Sequence, residues 1–208
     1  MKKYLMIAVA TLAATALVSC NKDPETNGGD ETIPEFITVD ATTVCINEMN
    51  GNDGYKGIEL YNPTAAEVSL EGWTIVKNNE VPTGETPAYW TGVAGDKIAA
   101  KGYLVIRANK KTTNLDNLTC LSVNTGTGGL SASKAVKLEL KNATGQVVDT
   151  FDRNFTPEEP AMATIEGSAA RKEDGKKLWK VMEPTFGASN NSAKVIGDID
   201  TKPAPVVE

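Results

Sequence analysis

Short segments in which hydrophobic and polar residues alternate are the main pattern in the middle of the chain. Residues 44–49, 57–61 and 68–76 follow this pattern, and turn residues such as Asn62-Pro63-Thr64 separate them. A period of two places successive side chains on opposite faces of a β-strand. Residues 102–107 are almost continuously apolar, which is typical of a strand in the middle of a sheet. We therefore predict strands in all four segments.

The clearest single element is a hairpin that joins residues 136–140 to residues 147–151. Asn142-Ala143-Thr144-Gly145 lies between these two runs and supplies the residue types that tight turns require. We find no segment with the period of an amphipathic helix. Many short strands joined by turns indicate an all-β fold, either a sandwich or a barrel.

The N-terminus carries the pattern of an export signal. Lys2 and Lys3 precede an apolar run over residues 5–18, which leads into Ser19-Cys20. The run is too short to span a bilayer, so we predict a cleaved signal peptide over residues 1–19. The Leu-x-Ser-Cys ending resembles the lipobox of bacterial lipoproteins, which implies that Cys20 carries the acyl chains of a membrane anchor. The alternative is an ordinary signal peptide beside an incidental cysteine.

The segments on either side of the strands have the composition of flexible tails. Residues 20–41 are acidic and residues 192–208 contain two prolines. We predict an acidic tether at the start, a disordered tail at the end and one domain over residues 42–191. The charges directly after Cys20 resemble the export signals of Bacteroidetes surface lipoproteins. That resemblance implies an outer-membrane location with display at the cell surface, and the alternative is a spacer with no such meaning.

Composition removes several classes of function. Removal of the signal peptide takes away Lys2 and Lys3, which leaves 19 basic and 27 acidic side chains and a net charge of −8. An acidic surface repels phosphate backbones, so we expect no nucleic-acid partner. The chain contains no histidine, the commonest general base and metal ligand. We expect neither a cofactor nor a metal site.

Several of these segments together resemble the lamin tail domain family. The matching segments are Ile46-Asn47-Glu48, residues 58–64, 68–75, 98–106 and 136–151, then Arg171, Asp174-Gly175, Trp179 and residues 185–190. The resemblance covers residues 42–191 and implies an immunoglobulin-like β-sandwich. It implies no activity, because a fold does not determine a function. The chain departs from the family at Phe186, where proline is usual, and in two longer segments, residues 77–96 and 155–167.

Two aromatic positions are candidates for a structural or a binding role. Trp73 is most simply a core residue, because sandwiches bury aromatic side chains between their sheets. Tyr89-Trp90 lies within residues 77–96, and loops often carry binding residues. As an exposed pair, these rings would stack on a sugar or fill a pocket of a partner. The alternative is that the pair folds back and caps one end of the sandwich.

Two groups of polar residues suggest chemistry but have simpler explanations. Glu48 and Glu59 fall on neighbouring strands, and many hydrolases use a pair of carboxylates. We favour the alternative that these glutamates hydrogen-bond backbone or edge groups of the sheet. Residues 50–54 are rich in oxygen ligands, but their spacing departs from that of a calcium loop, so we predict a turn.

Two cysteines remain once Cys20 is assigned to the lipid anchor. In an exported protein, Cys45 and Cys120 have the opportunity to form a disulfide bond. Both lie in apolar segments, where a buried free cysteine behaves as a small hydrophobic residue. The sequence leaves both possibilities open.

These observations favour a non-enzymatic function. We expect a lipid-anchored protein of the cell envelope with a lamin-tail-like module that binds a protein or glycan partner or has a structural role. One alternative is an envelope hydrolase that uses Glu48, Glu59 or carboxylates of the loops. Another is a glycan-binding lipoprotein centred on Tyr89 and Trp90.

Overall fold

The computed structural model describes residues 35–80, 82–83, 87–108, 112–124 and 129–200 of the 208-residue chain. All of them belong to one structural unit, residues 32–208. The predicted signal peptide, Cys20 and most of the predicted tether lie outside the described residues, as do residues 201–208.

The described part of the chain is built from short strands, and its helical elements are two 3₁₀ turns at Thr113–Leu115 and Asn190–Ser192. No helix in this part is long and apolar enough to cross a membrane. The strands are β1 (Phe36–Ile37), β2 (Cys45–Asn50), β3 (Gly57–Tyr61), β4 (Val68–Ser69), β5 (Thr74–Lys77), β6 (Trp90–Thr91), β7 (Lys97–Ile98), β8 (Tyr103–Arg107), β9 (Cys120–Ser122), β10 (Val136–Lys141), β11 (Val147–Arg153), β12 (Ser168–Arg171), β13 (Leu178–Met182) and β14 (Val195–Gly197).

The strands form two main sheets. The larger sheet has the order β1-β13-β12-β2-β3-β8-β9, and β14 also pairs with β13. The smaller sheet has the order β11-β10-β5-β6, and β4 and β7 form a separate ribbon. All neighbouring strands are antiparallel except β8 and β9, which are parallel. The predicted all-β fold, an immunoglobulin-like β-sandwich, is confirmed.

Alternation along the strands determines which side chains enter the core. In β10, Val136, Leu138 and Leu140 are buried between half-exposed charged residues, as the predicted hairpin requires. β11 completes this hairpin, with Leu138 opposite Phe151. Trp73 is 8% exposed and belongs to the main core, as predicted.

The first strand corrects the predicted tether. Phe36 pairs with Trp179 in β13, and its ring lies 5.2 Å from the ring of Phe151. The ring of Phe151 lies 4.7 Å from that of Trp179, so the three side chains form one aromatic cluster. The boundary at residue 41 is therefore wrong, because a residue inside the predicted tether contributes to the core.

The last strand corrects the predicted tail. β14 pairs with β13, and Ile199 beyond it is only 1% exposed. The backbone oxygen of Asp200 also accepts a hydrogen bond from Nε of Arg153 at 3.1 Å. The prediction of a disordered tail is wrong for these residues, since backbone pairing and burial of Ile199 hold them on the domain.

Candidate functional site

The aromatic pair predicted to bind a partner is buried. Tyr89 is 2% exposed and Trp90 is 1% exposed, and both belong to the main core. Trp90 lies in β6 opposite Ile75, while the backbone oxygen of Tyr89 accepts a hydrogen bond from the N–H of Asn124 at 2.9 Å. The prediction of an exposed binding pair is therefore wrong, and the alternative that the pair folds back onto the sandwich agrees with its burial, at an edge strand of the smaller sheet.

The two remaining cysteines are too far apart for a disulfide. Cys45 lies in β2 and Cys120 in β9, with β3 and β8 between them in the same sheet. Three strand spacings amount to about 14 Å, whereas bridged cysteines have Cα atoms less than about 7 Å apart. Both thiols are free, and burial raises the pKa of Cys45 to about 12. The possible disulfide between them is excluded, and Cys45 is a small buried core residue.

The oxygen-rich segment forms the predicted turn. Asn50 Oδ1 accepts a hydrogen bond from the backbone N–H of Asn52 at 2.7 Å. Asn52 Nδ2 then donates to the backbone oxygens of Ile165 and Gly167. These amides hold the turn against a neighbouring loop. Within the described residues, no group of three or more His, Cys, Asp or Glu side chains is arranged to hold a metal ion.

Glu48 and Glu59 are direct neighbours across β2 and β3, and neither is exposed to solvent. Together with Asp174 and the amide and hydroxyl groups that bind these three side chains, they form what we call the carboxyl network. Ser168 Oγ donates to Glu48 Oε1 at 2.5 Å. The backbone N–H of Thr185 donates to both oxygens of the same carboxyl at 3.2 Å.

The contacts of the Thr185 hydroxyl favour a protonated Glu48 carboxyl. Asn190 Nδ2 donates to the backbone oxygens of Asn47 and Arg171, so Asn190 Oδ1 is the atom that faces Thr185. An amide oxygen only accepts, so the Thr185 hydroxyl donates to it. Thr185 Oγ1 also lies 2.8 Å from Glu48 Oε2, and with its one hydrogen directed at Asn190 this contact is a full hydrogen bond only when the carboxyl is protonated. In agreement, burial raises the pKa of Glu48 to about 7.

Glu59 is held by two donors. Asn47 Nδ2 donates to its Oε1 at 3.0 Å and the backbone N–H of Gly187 donates to its Oε2 at 2.6 Å. Gly187, whose N–H makes this second bond, has a φ of +81°, a backbone conformation that favours glycine. Burial, followed by the nearby Glu48 carboxyl, raises the pKa of Glu59 to about 9.

Asp174 is the ionised member of the network. It accepts hydrogen bonds from the hydroxyls of Tyr103 and Ser189, from Asn47 Nδ2 and from the backbone N–H of Asn190. Burial acts to raise the pKa of Asp174, but these hydrogen bonds outweigh it and lower the pKa below its usual value. Each donor stabilises the charged form.

The carboxyl network fastens residues 185–190 to the larger sheet. Backbone N–H groups of this segment bind Glu48, Glu59 and Asp174, which confirms the prediction that the glutamates serve backbone groups. Because both glutamates are fully buried, their carboxyls do not reach a substrate in this arrangement. The geometry therefore gives no support to the hydrolase alternative.

A buried ion pair joins the two sheets. Arg171 Nη2 lies 3.0 Å from both carboxylate oxygens of Asp149, and the remaining donors of Arg171 bind the backbone oxygens of Val39, Ile46 and Lys176. Asp149 also accepts a hydrogen bond from the Ile46 N–H at 2.8 Å. The pair therefore links β11 in the smaller sheet to β2 and β12 in the larger one.

A solvent-open groove lies along β11, which pairs with β10 alone among the described strands. We call it the edge groove. Its apolar half is a cavity of about 360 Å³ and its polar half is one of about 400 Å³, and Val147 and Val148 line both. The groove is lined by Thr38, Val39, Thr42, Thr43, Trp73, Asn142, Gln146, Val147, Val148, Asp149 and Thr150.

Uncharged side chains dominate the edge groove. Its one ionisable residue is Asp149, which is 7% exposed and paired with Arg171. Val39 and Val147 are 68% and 43% exposed, so apolar surface lies open beside the polar half. Cavities of this size and composition suit a small ligand or part of a larger one. Sequence reasoning missed this groove, because neutral residues from three separate segments form no motif.

Comparison with known proteins identifies the family. A family model described as Lamin Tail Domain matches residues 38–154, which is more than half of the chain. A search of curated proteins finds no match. The matched range contains all the residues that line the edge groove and both buried glutamates, whereas Asp174 and residues 185–190 lie beyond it. The match and the sandwich fold agree with the resemblance read from the sequence, and the chain belongs to the lamin tail domain family.

Proposed function

We propose that this protein is a lipid-anchored component of the cell envelope and that its lamin tail domain is a non-enzymatic binding module for a protein or glycan partner. The observation that carries the proposal is the edge groove, which is open to solvent. It contrasts with the carboxyl network, whose functional groups are already occupied by the chain itself. A domain with an open neutral groove and internally satisfied acids is suited to binding rather than to acid-base chemistry.

The first strand supports a short connection between anchor and domain. Phe36 is part of the core and lies 16 positions after Cys20. A fully extended segment of that length spans about 55 Å at most, because each residue adds about 3.3–3.6 Å. In this proposal the domain stays close to the membrane that holds the lipid, on the outer membrane and facing the cell surface.

The anchor is tested with the full chain in a bacterial host. Cys20→Ser should abolish labelling by radioactive palmitate and release the protein from the membrane fraction. Ser19→Ala is the matched control, since a small residue before the cysteine preserves the cleavage site, and it should keep the label. Unchanged labelling of the Cys20→Ser protein contradicts the anchoring part of the proposal.

The groove is tested with a soluble parent, residues 20–208 carrying Cys20→Ser. Retention of this protein on isolated cell-envelope material should fall at least tenfold when Val147→Asp places a charge in the edge groove. Val93→Asp makes the same change at a valine that is 62% exposed and does not line the groove, so it should bind like the parent. Equal retention of all three proteins, or retention of none, contradicts a binding role for the groove.

A further inference from the structure

The polar half of the edge groove presents neutral hydrogen-bonding groups on a charged protein. Its side chains are those of Thr42, Thr43, Trp73, Asn142 and Gln146, beside the two valines. The chain as a whole is 23% charged and carries a net charge of −6. A ligand with a full charge would therefore lose water in this half without gaining a counter-charge. The lining selects for an uncharged ligand that is rich in hydrogen-bonding groups.

Trp73 supplies a donor to the groove. Within the described residues, no buried side-chain nitrogen or oxygen lacks a hydrogen-bond partner. The indole N–H of Trp73 makes no hydrogen bond there, so this nitrogen is not fully buried, although the residue as a whole is only 8% exposed. Because Trp73 lines the polar half, its N–H is available to an acceptor on a ligand.

Gln146 supplies a second donor with a defined orientation. Asn142 Nδ2 donates to Gln146 Oε1 at 3.4 Å, and Asn142 Oδ1 accepts the backbone N–H of Gln146 at 3.0 Å. The Gln146 oxygen is therefore the end of the amide that faces Asn142. Its NH₂ group is the end left for a partner in the groove.

We infer that the edge groove binds an uncharged glycan, with Trp73 and Gln146 donating to sugar oxygens and Val147 and Val148 contacting the apolar face of a sugar ring. This inference rests on the proposed binding function and names its ligand class. Sugar rings combine hydroxyl and ether oxygens with apolar C–H faces, which matches donors placed next to valines. The adjoining apolar half continues the groove along β11. The site therefore has room for a second sugar unit of the glycan.

The inference differs from the sequence-based glycan hypothesis in its residues. That hypothesis used Tyr89 and Trp90, which are buried and unable to stack on a sugar. The present site uses a tryptophan for its N–H rather than for its ring face. It therefore predicts that replacing Trp73 by phenylalanine, which keeps most of the ring, weakens binding.

The test is affinity electrophoresis of the soluble parent in gels that contain one polysaccharide each: dextran, mannan, xylan or polygalacturonate. At least one of the three neutral polymers should retard the protein, whereas acidic polygalacturonate should not. Gln146→Ala should weaken the retardation at least tenfold, and Trp73→Phe should weaken it to a similar degree. Asn117→Ala, which removes an exposed amide outside the edge groove, should leave it unchanged. Thermal melts of each variant verify that the fold is retained.

Three outcomes overturn the inference: no retardation by any neutral polymer, equal retardation by polygalacturonate, or full retardation of the Gln146→Ala protein. Chemical treatment of the envelope material separates this failure from failure of the proposed function. Periodate cleaves vicinal diols of sugars, and protease removes proteins. Retention that survives periodate, is lost after protease and depends on Val147 would keep the binding function and reject the glycan.

Discussion

The carboxyl network and the edge groove both contain side chains capable of recognition, and they use them in opposite ways. In the network, Glu48, Glu59 and Asp174 are surrounded by donors from the chain itself. In the groove, the N–H of Trp73 and the amide of Gln146 lie at the surface beside exposed apolar residues. In this domain the network acids hold the structure together, and in our proposal the neutral groups of the groove bind the ligand.

The aromatic side chains repeat this contrast. Trp90 is 1% exposed and pairs with Ile75 inside the core. Trp73 also packs in the core, but it lines the groove as well. Position in a long inserted segment was thus a poor guide to exposure, because part of that segment forms β6 and closes one side of the smaller sheet. The following predictions test the contrast, beginning with the largest expected effect.

The double change Tyr89→Ala with Trp90→Ala should unfold or nearly unfold the protein. Each large buried aromatic contributes about 3–5 kcal/mol relative to alanine, so the pair should cost more than about 5 kcal/mol. Urea unfolding of the soluble parent measures the loss. Val93→Ala at an exposed valine is the control and should change the free energy of unfolding by less than about 0.5 kcal/mol. A loss below about 1 kcal/mol for the double change would show that these rings are not core residues.

Arg171→Met should cost about 3–5 kcal/mol, because it leaves the buried Asp149 carboxylate without its cation. The backbone oxygens of Val39, Ile46 and Lys176 also lose their donors. Arg107→Met is the matched control, since Arg107 forms its ion pair with Asp116 at the surface and should contribute less than about 1 kcal/mol. Equal losses for the two variants in urea unfolding would mean that burial adds nothing to the Arg171 pair.

Part of this architecture follows from local pattern. Strands near β2, β3, β8, β10 and β11 were predicted because their residues alternate or form apolar runs long enough to show a period. β1, β6 and β7 contain two residues each, which is too short for any period to be visible. β12, Ser168–Arg171, combines small and polar residues and therefore shows no apolar pattern. Arg171 is buried there together with its ion-pair partner Asp149, which lies 22 positions away in the sequence.

The candidate sites show a similar limit. The pairing of Glu48 with Glu59 was foreseeable, since both fall on neighbouring strands with family-like patterns. Their hydrogen bonds to Thr185 and Gly187 were not, because these contacts join residues more than 120 positions apart. The edge groove was also invisible in the sequence. Its residues come from the segment before β2, from Trp73 just before β5, and from the β10–β11 turn with the first half of β11, and only the fold brings them together.

The carboxyl network predicts a protein that loses stability as the pH rises. The folded state holds the Glu48 proton up to about pH 7, whereas the ordinary pKa is 4.5. The contribution of Glu48 to the free energy of unfolding is fully present below pH 4.5 and is lost as the pH rises through 7. Glu59, whose pKa is raised to about 9, extends this loss to higher pH. Asp174, also in the network, is already ionised over this range. Between pH 5 and pH 8, the free energy of unfolding should fall by about 2–3 kcal/mol on account of Glu48.

Glu48→Gln tests this directly, because its amide donates to Thr185 as the protonated carboxyl does. The variant should be within about 1 kcal/mol of the parent at pH 5 and about 2–3 kcal/mol more stable at pH 8. Glu71→Gln, at an exposed position, should keep the pH dependence of the parent. Urea unfolding at pH 5, 6, 7 and 8 measures all three proteins. If the free energy of unfolding of the Glu48→Gln protein fell with pH as steeply as that of the parent, Glu48 would not be the titrating group.

The smallest expected change in stability is at the edge groove, and it is compared with the change at a buried amide of the carboxyl network. Gln146→Ala removes an exposed side chain at the mouth of the edge groove and should change the free energy of unfolding by less than about 0.5 kcal/mol. Asn190→Ala removes a buried amide that serves Thr185, Asn47 and Arg171, and should cost at least about 2 kcal/mol because these groups are left unpaired.

Urea unfolding at pH 6 and the polysaccharide gels together then separate the two regions. Gln146→Ala should lose binding and keep stability, since its amide lies in the groove and supports only the turn beside it. Asn190→Ala should lose stability and, under conditions where it is folded, keep binding, because residues 185–190 do not line the groove. A Gln146→Ala protein that is as destabilised as the Asn190→Ala protein would mean that the groove amide is structural. In that case the assignment of a structural role to the carboxyl network and of a binding role to the edge groove would be wrong.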